Sequence, residues 1–360
     1  MEPFEYTPSP VRVVFGSGTL ARLPEELRRL NVTRPLLLST PRQVAKLQLI
    51  SQILSDASIR QAGLFSNAIM HTPTPMTDSA ESYARETAAD SIVSFGGGST
   101  VGLGKALSIR TGLPHVCIVT TYSGSEMTSI VGETSEGKKT TRKDPKIFPA
   151  TVIYDVDLTL DLPAETSAVS GVNAMAHAVE ALYAQNKNPV TSMMALEGIK
   201  ALSHSLPIIV QDPTDHAARE KALYGAWLCA VCAGTVGVAL HHKLCHTLGG
   251  SCGLPHAETH TVVLPHALAY NAPAVPDAMH KLAEVLEGSD GDATRGVNRL
   301  LARLGVKRSL KDLGMKEDDV ERAADIAMER PYWNPRLIKR DVLQEVVRRC
   351  WAGEEARSDL

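Results

Sequence analysis

The segment HHKLCHTLGGSCGLPHAETH, residues 241–260, holds five of the chain's twelve histidines. An imidazole can bind a divalent metal ion, move a proton near neutral pH, or lie in a core with its hydrogen bonds satisfied. His242, His246 and His256 are the candidates for chemistry, whereas an isolated histidine such as His115 is expected to be structural. The density of histidines in this segment indicates a functional site. Motifs elsewhere in the chain are needed to distinguish metal binding from proton transfer and from a structural role.

The stretch SIVSFGGGSTVGLGKALSI is typical of a phosphate-binding turn between a strand and a helix. Glycines such as Gly97 and Gly98 let the backbone approach a phosphate, and a helix N-terminus adds N–H groups and partial positive charge. Ser99 and Thr100 can cap the helix or bond phosphate oxygens. The spacing matches neither G-x-G-x-x-G nor a Walker P-loop, so a tight turn without a ligand is the alternative.

A second turn, in CIVTTYSGSEMTS, again follows an apolar strand and is rich in hydroxyl groups. The hydroxyls that could bond phosphates, a ribose or a carboxamide belong to Thr120, Thr121, Ser123 and Ser125. Two such turns at one sheet edge fit a dinucleotide stretched across them. The basic stretch EGKKTTRKDPKIFP follows; it is either a solvated hairpin or supplies a lysine, for which we choose Lys146, to the cofactor.

These turns need a sheet to position them, and the first part of the chain predicts one. Up to about residue 160, VRVVFG, RPLLLST, SIVSFGG, PHVCIVTT and ATVIYDV have the pattern of strands and alternate with helical stretches. Such alternation predicts βαβ units around a mostly parallel sheet. Beyond DLTLDLPAE the strand pattern ends, so residues 161–360 are predicted to form a second, all-helical domain.

Bulk composition excludes several classes of function. The 360 residues are 44% hydrophobic and 21% charged with a net charge of −3 and no block of like charge, which argues against nucleic acid or membrane partners. The apolar runs are shorter than a membrane span needs, and the acidic N-terminus is no secretory signal, so a cytoplasmic protein is expected. The C-x-x-C of Cys229 and Cys232 lacks a second pair, which predicts buried reduced thiols.

Several motifs together resemble one known family. FGGGSTVGLGKA, TTYSGSEMTS, DPKIFPATVIYDVDLTLDLP, SGVNAMAHAVEALYA and the histidine segment, in this order, are similar to the iron-containing (group III) alcohol dehydrogenase superfamily, and within it to the maleylacetate reductases. The resemblance covers nearly the whole chain. It implies a Rossmann-like NAD(P)-binding domain over residues 1–160, a helical domain over 161–360 that carries the histidines, NADH or NADPH in the cleft between them, and a homodimer.

The resemblance also assigns residues to roles. It implies that Gly97, Gly98 and Ser99 hold the pyrophosphate, and that Thr120, Thr121 and Ser123 lie near the phosphates and the nicotinamide. The family's metal ligands, an aspartate and three histidines, fall on Asn173, His177, His242 and His256. Its further active-site histidine falls on His246.

The chain departs from the family pattern at the first metal ligand. Metal-bearing relatives read G-x-D-A-x-x-H, whereas this chain reads GVNAMAH, so that Asn173 offers a neutral amide in place of a carboxylate. Asn173 and His177 are four residues apart and share a helix face, as do His242 and His246. The geometry is therefore expected to persist without its only anionic ligand, which weakens metal binding. We expect a vestigial site and an enzyme that does not require metal.

The implied reaction is reduction of the carbon–carbon double bond of 2-maleylacetate to 3-oxoadipate. Hydride addition to a double bond conjugated to a ketone gives an enolate, which hydrogen bonds can stabilise without a Lewis acid. His246 and His256 are the predicted proton donors or enolate stabilisers, with His177 and His242 lining the pocket. The alternatives are a metal-dependent alcohol or polyol dehydrogenase, a dehydroquinate synthase-like lyase and an inactive cofactor-binding protein.

The substrate is a small dicarboxylate, so cationic and hydroxyl side chains are expected around it. The predicted substrate-binding residues are Tyr122, Asn173, His241, Lys243 and Arg336.

The remaining prediction concerns the choice between NADH and NADPH, which differ at the ribose 2′ position. The end of the second strand reads LLLSTPRQ and carries Ser39 and Arg42 but no acidic residue that would repel a 2′-phosphate, so we expect both NADH and NADPH to be used.

Overall fold

The structure is a computed structural model that describes residues 3–135 and 138–360. It divides into two compact units. One comprises Ser9–Leu162, and the other comprises Pro163–Leu360 together with N-terminal residues up to Pro8.

The first unit is built on strands and a parallel sheet. Its strands are β1 (Arg12–Phe15), β2 (Pro35–Leu38), β3 (Gly63–Phe65), β4 (Ser91–Gly96), β5 (His115–Val119), β6 (Ile130–Ser135), β7 (Lys138–Lys143) and β8 (Thr151–Tyr154). In the described residues, six of them form one sheet in the order β1-β8-β5-β4-β2-β3, and neighbouring strands run parallel. The parallel α/β architecture predicted for this part of the chain is confirmed.

Helices cover both faces of this sheet. They are α1 (Leu23–Arg29), α2 (Val44–Asp56), α3 (Thr74–Glu86) and α4 (Gly98–Thr111). Along β2, Leu37 packs with Leu47 of α2 on one face, while Leu36 and Leu38 pack with Leu103 of α4 on the other. Because successive side chains of a strand point to opposite faces, a continuous apolar run such as PLLL is what a strand covered on both sides requires.

The strands β6 and β7 form an antiparallel hairpin outside this sheet, with Ile130 opposite Lys143. A bridge between Pro73 and Thr134 attaches the hairpin to the start of α3. The basic stretch therefore has the hairpin form that the sequence left open. Its residues 136 and 137 lie outside the described residues.

The second unit is helical. Its helices are α5 (Ala164–Ala181), α6 (Pro189–Gln211), α7 (His216–Thr235), α8 (Leu240–Cys252), α9 (His256–Asn271), α10 (Pro276–Val285), α11 (Ala293–Leu304), α12 (Asp319–Glu329) and α13 (Arg340–Ala352). The helix α5 is central: it contacts α6, α7 and α9, and most of its side chains are buried. The helices α8 and α9 pack against each other, and α12 and α13 share an apolar core with them. The predicted helical second domain is confirmed.

Two apolar features of this unit belong to its core. By length and composition alone α6 would suit a membrane span, as would α7 and α8 joined across their 93° bend, but more than half of the apolar stretch of α6 is buried. Cys229 and Cys232 are buried free thiols on α7, and burial raises the pKa of Cys232 to about 12. The prediction of reduced core thiols is confirmed.

Candidate active site

Helices α5, α8 and α9 bring histidines from distant parts of the chain into one cluster. The rings of His177 and His242 stack with their centroids 4.6 Å apart, and His246 lies edge-on to His242 at 6.0 Å. The ring of His256, the first residue of α9, lies 4.3 Å from that of His260. The structure therefore gathers all four histidines of the predicted site, and adds His241 and His260 beneath them.

The carboxylate of Glu180, on α5, organises the inner side of this cluster. It accepts hydrogen bonds of 2.7 Å from the backbone N–H groups of Ala239 and His241, and its Oε2 lies 2.7 Å from His242 Nδ1. These backbone groups belong to the first turn of α8, where an anion is stabilised by N–H groups without helical partners. Glu180 thus caps α8 from another helix and orients the ring of His242.

The contact with Glu180 decides which ring nitrogens carry protons when the rings of His242 and His177 are both neutral. If His242 donates from Nδ1 to the carboxylate, its Nε2 is an acceptor, and His177 Nδ1 lies 2.7 Å from it. His177 then donates from Nδ1 and keeps a lone pair on Nε2. Burial, followed by the neighbouring histidines, lowers the pKa of His177 well below its usual range, so its imidazole is neutral. Glu180, His242 and His177 form a hydrogen-bonded chain.

Burial separates the histidines into two groups. His241 and His260 are fully buried, their Nε2 and Nδ1 atoms lie 2.9 Å apart, and burial lowers both pKa values well below their usual range. His246 and His256 are exposed. The structure encloses His241, and its predicted contact with an anionic substrate, like that of the fully buried Tyr122, stays a prediction. His246 and His256 remain the solvent-facing candidates for proton transfer.

A tyrosine from the loop between α12 and α13 completes the exposed side of the cluster. The hydroxyl of Tyr332 lies 3.0 Å from His246 Nδ1, and the ammonium of Lys243 lies 5.6 Å from the centre of the tyrosine ring. Lys243 is half-buried beside His246, so a cation and an imidazole face the same ring. This arrangement keeps Lys243 as a candidate for binding a substrate carboxylate.

Arg336 has a structural role. Its guanidinium donates to the backbone carbonyls of Tyr270 and Leu360, at 2.7 and 2.6 Å, and lies over the ring of Tyr270. These contacts tie Leu360 to α9. The anion-binding role of Arg336 stays a prediction.

The residues at the family's metal-ligand positions do not fit a metal ion as they are arranged. His177 Nδ1 and His242 Nε2 are 2.7 Å apart, a hydrogen-bond distance, whereas two nitrogens bound to one zinc ion lie about 3.3 Å apart. Asn173 is buried and contributes an amide oxygen without charge. In the described part of the chain, ligand atoms of three His, Cys, Asp or Glu side chains lie within 4.8 Å of one another at His241, Cys245 and His260, which is not the family's set.

In the first unit, the two predicted cofactor turns leave the sheet side by side. Gly96, the last residue of β4, is in register with Val119, the last of β5, and Thr120 N–H donates to Gly96 O at 3.1 Å. Gly98 begins α4, so the N–H groups of its first turn face the same edge as the hydroxyls after β5. The adjacency predicted for these turns is present.

The glycine turn has the shape and polarity of a phosphate cradle. A Cβ atom on Gly96, whose φ is +147°, would lie 2.6 Å from Gln43 Oε1 and from Thr100 Oγ1. Among the residues that the structure describes, neither of these buried oxygens has a hydrogen-bond partner. A Cβ on Gly97 would lie 2.8 Å from Thr121 Cγ2 and Oγ1. Closely approached backbone and buried polar atoms without partners fit a nucleotide that supplies the missing hydrogen bonds.

The remaining predicted cofactor residues are placed unevenly around these turns. Gln43, which the sequence did not single out, donates to Thr120 Oγ1 at 3.0 Å. Ser39 is buried and its hydroxyl donates to Thr40 O, and Tyr122 is fully buried. Lys146 is exposed. Cofactor binding by Lys146, Ser39, Ser99 and Ser123 stays a prediction.

A buried lysine connects the two turns. Lys105 of α4 donates at 2.8 Å to Ser125 O and to Thr128 Oγ1, both in the turn after β5. Burial lowers its pKa to about 7. Glu126 beside it is buried, accepts from the hydroxyl of Tyr154 at 2.8 Å, and has its pKa raised by burial. This polar cluster holds the second turn against α4.

Comparison with known proteins agrees with a chain that consists of a parallel α/β unit and a helical unit. The sequence model described as iron-containing alcohol dehydrogenase matches residues 10–156, and that of the C-terminal part of the Fe-containing alcohol dehydrogenase family matches residues 167–351. The chain belongs to the iron-containing alcohol dehydrogenase family. The family resemblance carried by the motifs is therefore confirmed, and with it a nicotinamide-dependent oxidoreductase.

Within this family the chain is similar to several maleylacetate reductases. It is 49% identical over 353 residues to the maleylacetate reductase of Rhizobium sp. (strain MTP-10005), covering 98% of this chain and 99% of that protein. It is 50% identical over 350 residues to that of Sphingobium indicum, covering 97% and 98%. The crystal structure of maleylacetate reductase from Agrobacterium tumefaciens superposes with a TM-score of 0.93 at 48% identity, covering 99% and 100%.

Besides Gln43, sequence reasoning missed Glu180, Tyr332 and Lys105, which also contribute to these sites. For Glu180 a signal was present, because it follows His177 by three positions on a helix and so shares its face. Lys105 stands seven positions after Gly98 in the helix of the glycine turn, but its partners lie on another turn. Tyr332 lies 86 residues from His246, and nothing local connects them.

Proposed function

We propose that the protein reduces the carbon–carbon double bond of 2-maleylacetate with NADH or NADPH, giving 3-oxoadipate. The observation that carries the proposal is the chain Glu180–His242–His177, which lies beside the exposed His246. The chain orients the rings of His242 and His177, and His246 supplies the proton donor. Asn173, one helical turn before His177, provides no anionic metal ligand. The similarity to maleylacetate reductases over nearly the full length supports the choice of substrate.

The bound nicotinamide would supply a hydride to the double-bond carbon that is remote from the ketone. The negative charge then moves to the ketone oxygen as an enolate, where N–H donors of the histidine cluster stabilise it. His246 or His256, which are exposed, protonates the carbon next to the ketone. One hydride and one proton are consumed, and the two carboxylates of the substrate are unchanged.

Independence from metal is part of the same proposal. It is supported by the amide at Asn173 and by the direct hydrogen bond between His177 and His242, which occupies two of the nitrogens that would bind an ion. Lys243, half-buried beside His246, supplies positive charge for one carboxylate of the dianion. We further propose use of both NADH and NADPH, because the end of β2 carries Arg42, exposed, and no acidic residue.

The experiment is an assay of nicotinamide oxidation with 2-maleylacetate, on chelator-treated enzyme with and without added zinc or iron. Full activity of the stripped enzyme supports the proposal in both its parts. Activity that requires metal overturns metal independence and leaves the substrate assignment intact. Absence of turnover in every condition, with NADH binding retained, refutes the substrate and directs attention to alcohols and polyols. A cytoplasmic homodimer belongs to the same proposal, and sedimentation of the purified enzyme tests its assembly.

A further inference from the structure

The loop between α12 and α13, residues 330–339, is fixed to the histidine helices by an asparagine pair. Asn334 Nδ2 donates to Asn271 Oδ1 at 2.7 Å, and Asn271 Nδ2 donates back to Asn334 Oδ1 at 3.0 Å. The same Asn334 Oδ1 accepts from Leu240 N–H, at the start of α8. Reciprocal amide contacts of this kind define both the distance and the orientation of the loop. The position of Tyr332, two residues before Asn334, is therefore set by α8 and α9.

The hydroxyl of Tyr332 makes a directed contact with His246. It lies 3.0 Å from Nδ1, at an imidazole that is otherwise exposed at the surface of the cluster. Burial, followed by Glu180, raises the pKa of Tyr332, so the phenol keeps its proton and is able to donate. A neutral imidazole that accepts at Nδ1 carries its proton on Nε2. With the phenol as donor, the contact corresponds to the tautomer of His246 that carries its proton on Nε2.

The ring of Tyr332 makes a second contact, with Lys243. The ammonium lies 5.6 Å from the ring centroid, within the range in which a cation is attracted to an aromatic face. Lys243 and His246 are three residues apart on α8 and so project from one face. One side chain consequently holds both the cation that suits a carboxylate and the imidazole that suits proton donation.

We infer that Tyr332 is a positioning residue for the reduction, holding His246 with its proton on Nε2 and Lys243 in place for a substrate carboxylate. The inference rests on the proposed function for its substrate. Neither role requires Tyr332 to touch the reacting atoms. Loss of the hydroxyl should impair proton delivery, whereas loss of the ring should also impair binding of the dianion.

The test compares Tyr332→Phe, which keeps the ring, with Tyr332→Leu, which removes it. For Tyr332→Phe we expect kcat to fall about tenfold or more, with KM for maleylacetate and the Kd for NADH nearly unchanged. The solvent deuterium isotope effect on kcat should increase, because proton transfer becomes slower relative to hydride transfer. Tyr332→Leu should show the same loss of kcat and, in addition, a raised KM for maleylacetate.

Trp333→Leu is the matched control, since Trp333 is the next residue of the same loop and is exposed to a similar extent, 40% against 37% for Tyr332. It should behave as wild type, and an equal loss in Trp333→Leu would reduce Tyr332 to a structural role. An unchanged kcat and isotope effect in Tyr332→Phe would overturn the inference.

A nitrogen NMR measurement of the His246 tautomer separates this inference from the proposed function. It should show Nε2–H in the wild type and a mixture of tautomers in Tyr332→Phe. If maleylacetate is not turned over, the proposed function fails, and the tautomer alone then decides whether Tyr332 positions His246. Observation of Nδ1–H in the wild type contradicts the inference whatever the substrate.

Discussion

Glu180 Oε2 lies 2.7 Å from His242 Nδ1, on the side of the imidazole that faces away from His177. Position 173 holds a neutral amide, whereas Glu180 places a carboxylate behind the ring of His242. A carboxylate at Nδ1 increases the basicity of Nε2 and holds the ring in one orientation. The negative charge of the site therefore acts through an imidazole and does not reach a ligand directly.

Glu180→Gln is expected to lower kcat by about tenfold or more and to destabilise the fold by about 1–3 kcal/mol. A glutamine keeps the shape but presents an amide N–H to a place where two backbone N–H groups and His242 all donate. One donor then faces another donor in a buried position. Steady-state kinetics and urea unfolding measure the two effects.

The control for this change is Glu165→Gln, on the same helix α5 but exposed. It removes the same charge without touching the histidine cluster, so both kcat and stability should stay near wild type. If Glu165→Gln lowers kcat as much as Glu180→Gln does, net charge and not the contact with His242 is responsible.

Asn173→Asp should increase the affinity of the protein for zinc. The substitution restores an anionic oxygen one helical turn before His177, which completes the family's ligand set. Metal content after incubation with zinc and exhaustive dialysis should approach one ion per chain in the variant and remain well below that in the wild type. Asn186→Asp, an exposed position after the same helix, adds the same charge and should retain no metal. Equal metal content in wild type and Asn173→Asp would show that the amide of Asn173 is not what limits the zinc affinity of the site.

Gly97→Ala should raise KM for NADH by about tenfold or more, with a smaller effect on kcat. The new Cβ would lie 2.8 Å from Thr121, a β-branched side chain with few alternative rotamers, so Thr121 has to move. Gly250→Ala on α8 is the control, because among the described residues no atom lies within 4 Å of its added Cβ and it is not a predicted cofactor residue. Fluorescence titration with NADH compares the affinities of the two variants for the cofactor. Equal affinities in the two variants would argue against a cofactor at this turn.

The sheet could be predicted from the sequence because its central strands are continuous apolar runs. In contrast, β3 consists of the three residues GLF at the edge of the sheet. It has no pattern of its own and exists because β2 offers it backbone partners. The local signal of a strand this short is too weak to separate it from a loop.

The histidine site shows the same limit. The family resemblance carried by the motifs assigned roles to His177, His242, His246 and His256. The four-residue spacings added that Asn173 shares a helix face with His177, as His242 does with His246. Burial could not be predicted in this way, so His241 was assigned a substrate role although it lies in the core. The carboxylate of Glu180 and the hydroxyl of Tyr332 meet their histidines across 62 and 86 residues, and such contacts are decided by how the helices pack.

Lys105 provides a prediction about pH, because burial lowers its pKa from 10.5 to about 7. In the unfolded chain the amine stays protonated until its ordinary pKa, so between these two values the unfolded state binds more protons than the folded state. The free energy of unfolding therefore rises with pH in this window, and the cost of burying the charge is fully present below about pH 7.

Wild type should gain stability relative to Lys105→Met between about pH 7 and pH 9, by at most about 1.4 kcal/mol per pH unit. Urea unfolding of both proteins across this range measures the difference in unfolding free energy. Taking the difference removes contributions from other titrating groups.

Lys46→Met is the control, since Lys46 is partly exposed and pairs with Asp161 at the surface. Its curve should run parallel to that of the wild type, because an exposed pair contributes little. If the Lys105→Met curve also runs parallel to the wild type, the amine between Ser125 and Thr128 keeps its proton in the folded protein across this pH range.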